Sequence, residues 1–247
     1  MKRLLVLGAG TAGTMVVNKL RPRLDADEWK ITIVDQEATH HYQPGYLFLP
    51  FGDYRPEEIV KPKKRFIPDG VEMIMGEIDR VDADESRVFL GDGTELEYDQ
   101  LVIATGATPR PDQTPGMDED EWRKSVHEFY TLEGAKALAT ALADFHQGRL
   151  AVHITELPIK CPVAPLEFMF LADWYFHEQG IRDRVELTLA TPLPAAFTKP
   201  IAAQHLGYIL EEKNINVVTE YNIERVEPDE KAIYSYDEQK LEYDLLV

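Results

Sequence analysis

Three glycines and one aspartate near the N-terminus form the first group of residues whose types and spacing indicate chemistry. Gly8, Gly10 and Gly13 follow an apolar stretch and open a helical pattern. The next apolar stretch, "KITIVD", ends at Asp35. A G-x-G-x-x-G turn between a strand and a helix, with an acid about 20 residues further on, is typical of a dinucleotide-binding unit. Asp35 is then expected to accept hydrogen bonds from ribose hydroxyls.

Each glycine has a separate role in such a turn. Gly8 permits the tight turn, Gly10 lets the backbone approach a pyrophosphate, and Gly13 lets the helix pack closely against the strand. Thr11 and Ala12 occupy the first helical turn, where amide donors and the helix dipole favour an anion. The alternative is a glycine-rich turn without a ligand, but the strand, the helix and the acid together favour the dinucleotide.

The single cysteine of the chain, Cys161, is the second candidate for chemistry. It follows a predicted strand, "RLAVHIT", and a short loop, and it precedes a long apolar helical pattern. Because Pro162 suits the first turn of a helix, we expect Cys161 at or next to the N-cap. The helix dipole and Lys160 would both favour its thiolate form. The alternative is a small buried apolar residue, which a single cysteine often is.

The segment around Cys161 stands where a second dinucleotide unit would need another glycine loop. It reads "ELPIKCP" and contains no glycine. Pro158 and Pro162 remove backbone N–H donors, and side chains occupy positions where a pyrophosphate needs bare backbone. We therefore do not expect NAD(P)H to bind this second unit.

The elements around these residues predict an α/β fold with parallel strands and helical crossovers. The 247 residues suffice for two Rossmann-like, three-layer domains. We place the first at residues 1–111 and the second, which carries Cys161, at residues 112–247. The connector "ATPRPDQTPGMDEDEWRKS" lies between them. The stretch "LEYDQLVIATG" at 96–106 has a near copy, "LEYDLLV", at 241–247, and each follows a short hairpin pattern.

Composition excludes several classes of function. Lys and Arg number 26 against 44 Asp and Glu, so the net charge is −18 and nucleic-acid binding is not expected. One cysteine rules out an internal disulfide framework, and the adjacent His40 and His41 have no third metal ligand nearby in the sequence. The N-terminal apolar run is too short for a signal peptide. We therefore expect a cytoplasmic protein without a metal.

The segments "GDGTELEYDQLVIATGATPRP" and "CPVAPLEFMFLADWYFHEQG" resemble the two-domain flavoproteins of the pyridine nucleotide–disulfide oxidoreductase superfamily. Within it, the chain is similar to the sulfide:quinone oxidoreductases and to the flavoprotein subunit of flavocytochrome c sulfide dehydrogenase. The resemblance implies FAD in the first domain. By position it places Ala104, Thr105 and Gly106 beside FAD, Glu77 and Ile78 near the adenine, and Pro44 near the isoalloxazine ring.

The same resemblance implies a cysteine–flavin relay. Two cysteines flank the flavin in that family, sulfide attacks the sulfur bridge, and two electrons pass to FAD and then to a quinone. Cys161 matches the first cysteine. Glu167 matches an acid that lies near the quinone and the flavin, although it could equally be a solvated surface residue.

The repeat at 241–247 leads, in that family, back into the flavin domain. The chain stops at Val247, so we expect a truncated protein that lacks the C-terminal part of the FAD domain. The second redox cysteine and the helices that seat the family on membranes belong to that part. For the full-length protein the resemblance implies peripheral association with the inner face of the plasma membrane, and it leaves a homo-oligomer open.

Three alternatives remain open. A type II NADH:quinone oxidoreductase would use NADH to reduce the flavin and would not need Cys161. The flavocytochrome subunit would require export and a haem partner. A non-catalytic fragment would bind flavin weakly or pair with another chain. Separately, the basic run "KPKKRF" at 61–66 is expected to be solvated, with contact to anionic lipid as the second interpretation.

Overall fold

The computed structural model describes residues 1–117 and 120–247, and it divides into two compact units. The first consists of Met1–Tyr42 and Pro56–Thr108, and the second of Gln43–Arg55 and Pro109–Val247. The segment Gln43–Arg55, which the sequence-based boundary placed in the first domain, is part of the second unit because its Leu47 and Phe51 are buried in that unit's core. Asp118 and Glu119 of the predicted connector lie outside the described residues.

The first unit contains one parallel sheet and two small antiparallel sheets. Its elements are β1 (Lys2–Leu7), α1 (Thr11–Leu20), β2 (Trp29–Asp35), β3 (Thr39–His41), α2 (Pro56–Ile59), β4 (Val60–Pro62), β5 (Val71–Met75), β6 (Ile78–Asp82), β7 (Arg87–Leu90), β8 (Glu95–Glu97) and β9 (Gln100–Ile103). The parallel sheet has the order β5-β2-β1-β9. β3 pairs with β4, and β6, β7 and β8 form a third sheet.

The central strands of this sheet are apolar along most of their length because both faces are covered. Leu4, Val6, Ile31 and Ile33 are at most 5% exposed and pack with Val17 of α1. The carboxyl ends of β1, β2, β5 and β9 lie at one edge of the sheet. The residues that follow these strands are therefore brought together there.

The second unit repeats the plan. Its elements are α3 (Leu132–Asp144), β10 (Gly148–His153), α4 (Ala164–Glu178), β11 (Val185–Ala190), α5 (Pro200–Glu212), β12 (Ile215–Val218), β13 (Ile223–Glu227), β14 (Ala232–Ser235), β15 (Lys240–Glu242) and β16 (Leu245–Leu246). The parallel sheet has the order β12-β11-β10-β16, and β13, β14 and β15 form an antiparallel sheet. The predicted α/β fold with two Rossmann-like parallel sheets is confirmed.

The repeated sequence "LEYD" has the same structural role in both units. The Asp99 carboxylate, just before β9, accepts from the backbone N–H of Arg3 at 2.6 Å. The Asp244 carboxylate, just before β16, accepts from the backbone N–H of Arg149 at 2.9 Å. In each case the aspartate fixes the start of the last strand against the first strand of its unit. Among the described residues, no helix is long and apolar enough to span a bilayer.

Candidate functional site

The loop between β1 and α1 requires glycine at two positions for reasons of packing. Gly8 has a φ of +92°, and a Cβ atom there would lie 2.3 Å from the carbonyl oxygen of Ala104. A Cβ on Gly13 would lie 1.8 Å from the carbonyl oxygen of Gly8. A Cβ on Gly10 would meet no atom of the chain within 4 Å. Gly10 therefore leaves open space beside the backbone, as the approach of a ligand requires.

Asp35, at the end of β2, is held against this loop. Its Oδ2 accepts from the backbone N–H of Ala9 at 2.6 Å, and its Oδ1 accepts from the N–H of Glu37 at 2.9 Å. Lys63 places its Nζ 2.7 Å from Oδ1. Burial raises the pKa of Asp35, but Lys63 and the two amides outweigh it, so the pKa lies below its ordinary value.

Lys63 is a residue of this site that sequence reasoning missed. The prediction that the basic run 61–66 is solvated is wrong for Lys63, which is 4% exposed, whereas Lys64 and Arg65 are exposed. The pairing of β3 with β4 carries Lys63 back toward β2, and its N–H donates to the carbonyl of Ala38 at 2.8 Å. No local pattern distinguishes Lys63 from its neighbours, because the pairing partner is distant in the sequence.

The structure places the predicted Ala104, Thr105 and Gly106 directly after β9, at the same sheet edge as the glycine loop. The N–H of Ala104 donates to the carbonyl of Leu7 at 2.7 Å. Thr105 and Gly106 are exposed, and Gly106 has a φ of +81°. Ala104 thus contacts the glycine loop through its backbone, and the two residues after it are accessible to a ligand.

Glu77 and Ile78 also follow the end of a parallel strand, β5. The N–H of Gly76 donates to the backbone carbonyl of Asp35 at 3.0 Å, which fixes this segment beside β2. Glu77 is exposed, whereas Ile78 begins β6 and packs on an apolar cluster beneath the sheet. Pro44 is exposed and belongs to the second unit.

Cys161 lies in the second unit, in the loop between β10 and α4. It is a free, partly buried thiol packed beside the core of that unit. The expectation that Cys161 stands at or next to the N-cap is wrong, because Pro162 lies between it and the N-cap, Val163, and α4 begins at Ala164. Cys161, Pro162 and Val163 instead form a turn in which the N–H of Ala164 donates to the Cys161 carbonyl at 3.2 Å.

Tyr130 is a neighbour of Cys161 that the sequence did not reveal. Its hydroxyl donates to the carbonyl of Cys161 at 3.3 Å. Burial raises the pKa of Tyr130 to about 12, and negative charge on Cys161 and on Glu167 contributes to the rise. Glu167 is exposed on the first turn of α4, so both predicted catalytic residues lie within electrostatic reach of one hydroxyl.

Lys160, which the sequence suggested as a cation beside Cys161, also interacts with the charge of Glu128. Burial lowers the pKa of Lys160, and the opposing influence is the carboxylate of Glu128. Glu128 is 7% exposed and accepts from the backbone N–H groups of Tyr130 and Thr131 at 2.6 and 2.9 Å. Lys160 thus interacts with an acid that is fixed at the start of α3.

Two α/β units with parallel sheets, the first with a glycine loop and an acid at the carboxyl edge of its sheet, have the architecture of the dinucleotide-binding fold. The family model described as pyridine nucleotide-disulphide oxidoreductase matches residues 2–152, which is more than half of the chain. The chain belongs to this family.

Curated relatives include the mitochondrial sulfide:quinone oxidoreductase of Mus musculus, 26% identical over 92% of this chain and 50% of its own length. The sulfide-quinone reductase of Aquifex aeolicus is 26% identical over 94% of this chain and 54% of its length. The type II NADH:quinone oxidoreductase of Staphylococcus haemolyticus is 36% identical, but over 58% of this chain and 34% of its length. The chain spans about half the length of the sulfide:quinone oxidoreductases that it matches.

Solved structures agree on the fold. The sulfide:quinone oxidoreductase of Aquifex aeolicus has a TM-score of 0.84 at 21% identity and covers 100% of this chain, while the chain covers 58% of that protein. The putidaredoxin reductase–putidaredoxin complex has a TM-score of 0.74 at 20% identity, with 99% of this chain and 57% of that one covered. Both likenesses show the two-unit dinucleotide-binding fold.

Proposed function

We propose that this chain forms part of an FAD-dependent sulfide:quinone oxidoreductase that binds FAD and supplies the thiol Cys161. The observation that carries the proposal is the loop between β10 and α4. There a partly buried free cysteine, with Pro158 and Pro162 nearby, stands where an NAD(P)H-binding unit would have its glycines. The similarity to sulfide:quinone oxidoreductases extends across this loop, since it covers 92% and 94% of the chain in the two relatives above.

The residues of the first unit fit a dinucleotide. The space beside Gly10 is open, and the Asp35 carboxylate, which already accepts from Ala9, Glu37 and Lys63, retains one acceptor site for a ribose hydroxyl. The residues of this unit proposed to hold FAD are Gly8, Gly10, Thr11, Ala12, Gly13, Asp35, Glu77, Ile78, Ala104, Thr105 and Gly106. Bound FAD would supply a two-electron acceptor.

Cys161 and Glu167 are the proposed catalytic residues. Cys161 supplies the thiol at which sulfide would be oxidised, with the two electrons lost on forming a sulfur–sulfur bond passing to bound FAD. Glu167 presents an exposed carboxylate on the first turn of α4. The hydrogen bond from Tyr130 to the Cys161 carbonyl holds the cysteine-bearing turn in place. Because a quinone is lipid-soluble, we also propose peripheral membrane association of the whole protein.

A type II NADH:quinone oxidoreductase is the second candidate, and the 36% identity to the Staphylococcus haemolyticus protein supports it. That match covers 58% of the chain, against more than 90% for the sulfide:quinone oxidoreductases. The loop of residues 155–163 also lacks two backbone N–H donors that a second pyrophosphate would need, since Pro158 and Pro162 have none. We therefore rank this function below the first.

The two functions differ in the electron donor. The protein, loaded with FAD, is mixed anaerobically with sulfide or with NADH while the flavin absorbance is recorded. We expect sulfide to bleach the flavin and NADH to leave it oxidised. The Cys161→Ser variant should bind FAD as the parent does but lose the response to sulfide. Bleaching by NADH alone, in parent and variant alike, would support the NADH-dependent function and overturn ours.

A further inference from the structure

Lys63 is a buried cation in direct contact with the acid proposed to bind the ribose of FAD. Its Nζ lies 2.7 Å from Oδ1 of Asp35, and the two side chains are 5% and 14% exposed. Removing both charges from water is costly, and the neighbouring Lys64 avoids that cost by remaining exposed. Within the described residues, Asp35 is the one ion-pair partner of Lys63.

Asp35 in turn contacts the glycine loop. Its Oδ2 accepts from the N–H of Ala9, which stands between Gly8 and Gly10, at 2.6 Å. The carboxylate is therefore fixed close to the place where two negatively charged phosphates must approach. Without a counter-charge it would repel them, and a largely buried charge is screened only weakly by salt.

We propose that Lys63 is a positioning residue for dinucleotide binding. It neutralises Asp35, so the carboxylate remains on the Ala9 amide and accepts from the ribose while the pyrophosphate occupies the glycine loop. This inference rests on the proposed binding of FAD by the first unit. It assigns to the pair a role in affinity, beyond linking the β3–β4 ladder to β2.

Titration of FAD into the purified 247-residue protein, followed by flavin fluorescence, tests the proposal. We expect Lys63→Met to raise the Kd for FAD by about 10-fold or more, because the Asp35 charge is left unpaired. Lys64→Met removes a cation from the same run at an exposed position, so its Kd should remain within about twofold of the parent. The penalty in Lys63→Met should persist as salt is added, because the largely buried Asp35 carboxylate is screened only weakly.

A double-mutant cycle tests whether Lys63 acts on FAD binding through Asp35. In the Asp35→Asn background no carboxylate remains to be neutralised, so adding Lys63→Met should change the Kd by less than about twofold. This comparison also covers the case in which Lys63→Met alone fails to fold, because the double variant contains no unpaired buried charge from this pair. Circular dichroism of each apo variant verifies the fold.

Three results would overturn the proposal or its basis. A parent-like Kd in a folded Lys63→Met variant removes the role of Lys63 while leaving FAD binding intact. An equal effect of Lys63→Met in the parent and in the Asp35→Asn variant shows that Lys63 does not act by neutralising Asp35. A parent protein that binds no FAD overturns the proposed binding of FAD by this chain, and the inference with it.

Discussion

At the scale of single residues, the glycine loop separates positions required for folding from those available for binding. A methyl group on Gly13 would overlap the carbonyl of Gly8, whereas one on Gly10 would project into open space. We expect Gly13→Ala to lower the free energy of unfolding by about 1–3 kcal/mol, because the helix must move away from β1.

Gly10→Ala is the matched substitution in the same loop. The φ of Gly10 is −73°, which any residue adopts, so its effect on stability should stay within about 0.5 kcal/mol. Its Kd for FAD should nevertheless rise, because the methyl group occupies space proposed for the pyrophosphate. Urea unfolding of the apo proteins and FAD titration measure the two effects. Equal destabilisation by both substitutions would contradict this division of roles.

The residue scale also shows what the sequence could predict about the site. The order of strand, glycine turn, helix and second strand ending at Asp35 was predictable because its signals are local in the sequence. Lys63 was missed because its burial depends on an ion pair with Asp35, a residue far back in the sequence, formed when β3 and β4 fold back. Tyr130 likewise contacts the carbonyl of Cys161 across 31 positions.

At the scale of elements, the strands were predictable because buried parallel strands have continuous apolar sequences. The repeat of "LEYD" correctly indicated equivalent final strands, since both aspartates fix a neighbouring strand. The start of α4 was less predictable. Pro162 and Pro165 both suit an early helical position. Pro165 occupies the second position of the helix, which therefore begins at Ala164 and not directly after Cys161.

Asp173, in the second half of α4, is the centre of a polar network that links this helix to the end of α5. Arg182 and Lys213 each place a side-chain nitrogen 2.7 Å from the Asp173 carboxylate, which is 2% exposed. Arg182 also donates to the backbone carbonyls of Val185, Lys213 and Asn214. The network therefore positions the turn that precedes β11.

We expect Asp173→Asn to lower the free energy of unfolding by about 3–5 kcal/mol, because the buried Arg182 loses its counter-charge. Asp183→Asn, which removes an exposed carboxylate from the next turn, should change it by less than about 0.5 kcal/mol. Urea unfolding followed by circular dichroism compares the two. Similar losses in both variants would show that the network is not the source of the effect.

At the scale of the whole molecule, two opposing electrostatic effects determine how stability depends on pH. The net charge of −18 disfavours the compact state by self-repulsion, which acidification relieves. Against this, the pKa values of the largely buried Asp35 and Asp173 lie below the ordinary value, because burial raises each of them less than their cationic and hydrogen-bonding partners lower it. Such groups stabilise the fold above the pKa that they have in the unfolded chain.

We therefore expect the urea midpoint to fall as the pH decreases from neutral to about 3, since the unfolded chain takes up protons at Asp35 and Asp173 before the folded chain does. Asp173→Asn differs from the parent by one charge in a net charge of −18, so relief of repulsion is nearly the same in both. The variant lacks one carboxylate of depressed pKa, and its midpoint should depend less steeply on pH. Circular dichroism at a series of pH values measures both slopes. If the slopes are equal, protonation of Asp173 does not contribute to the loss of stability in acid.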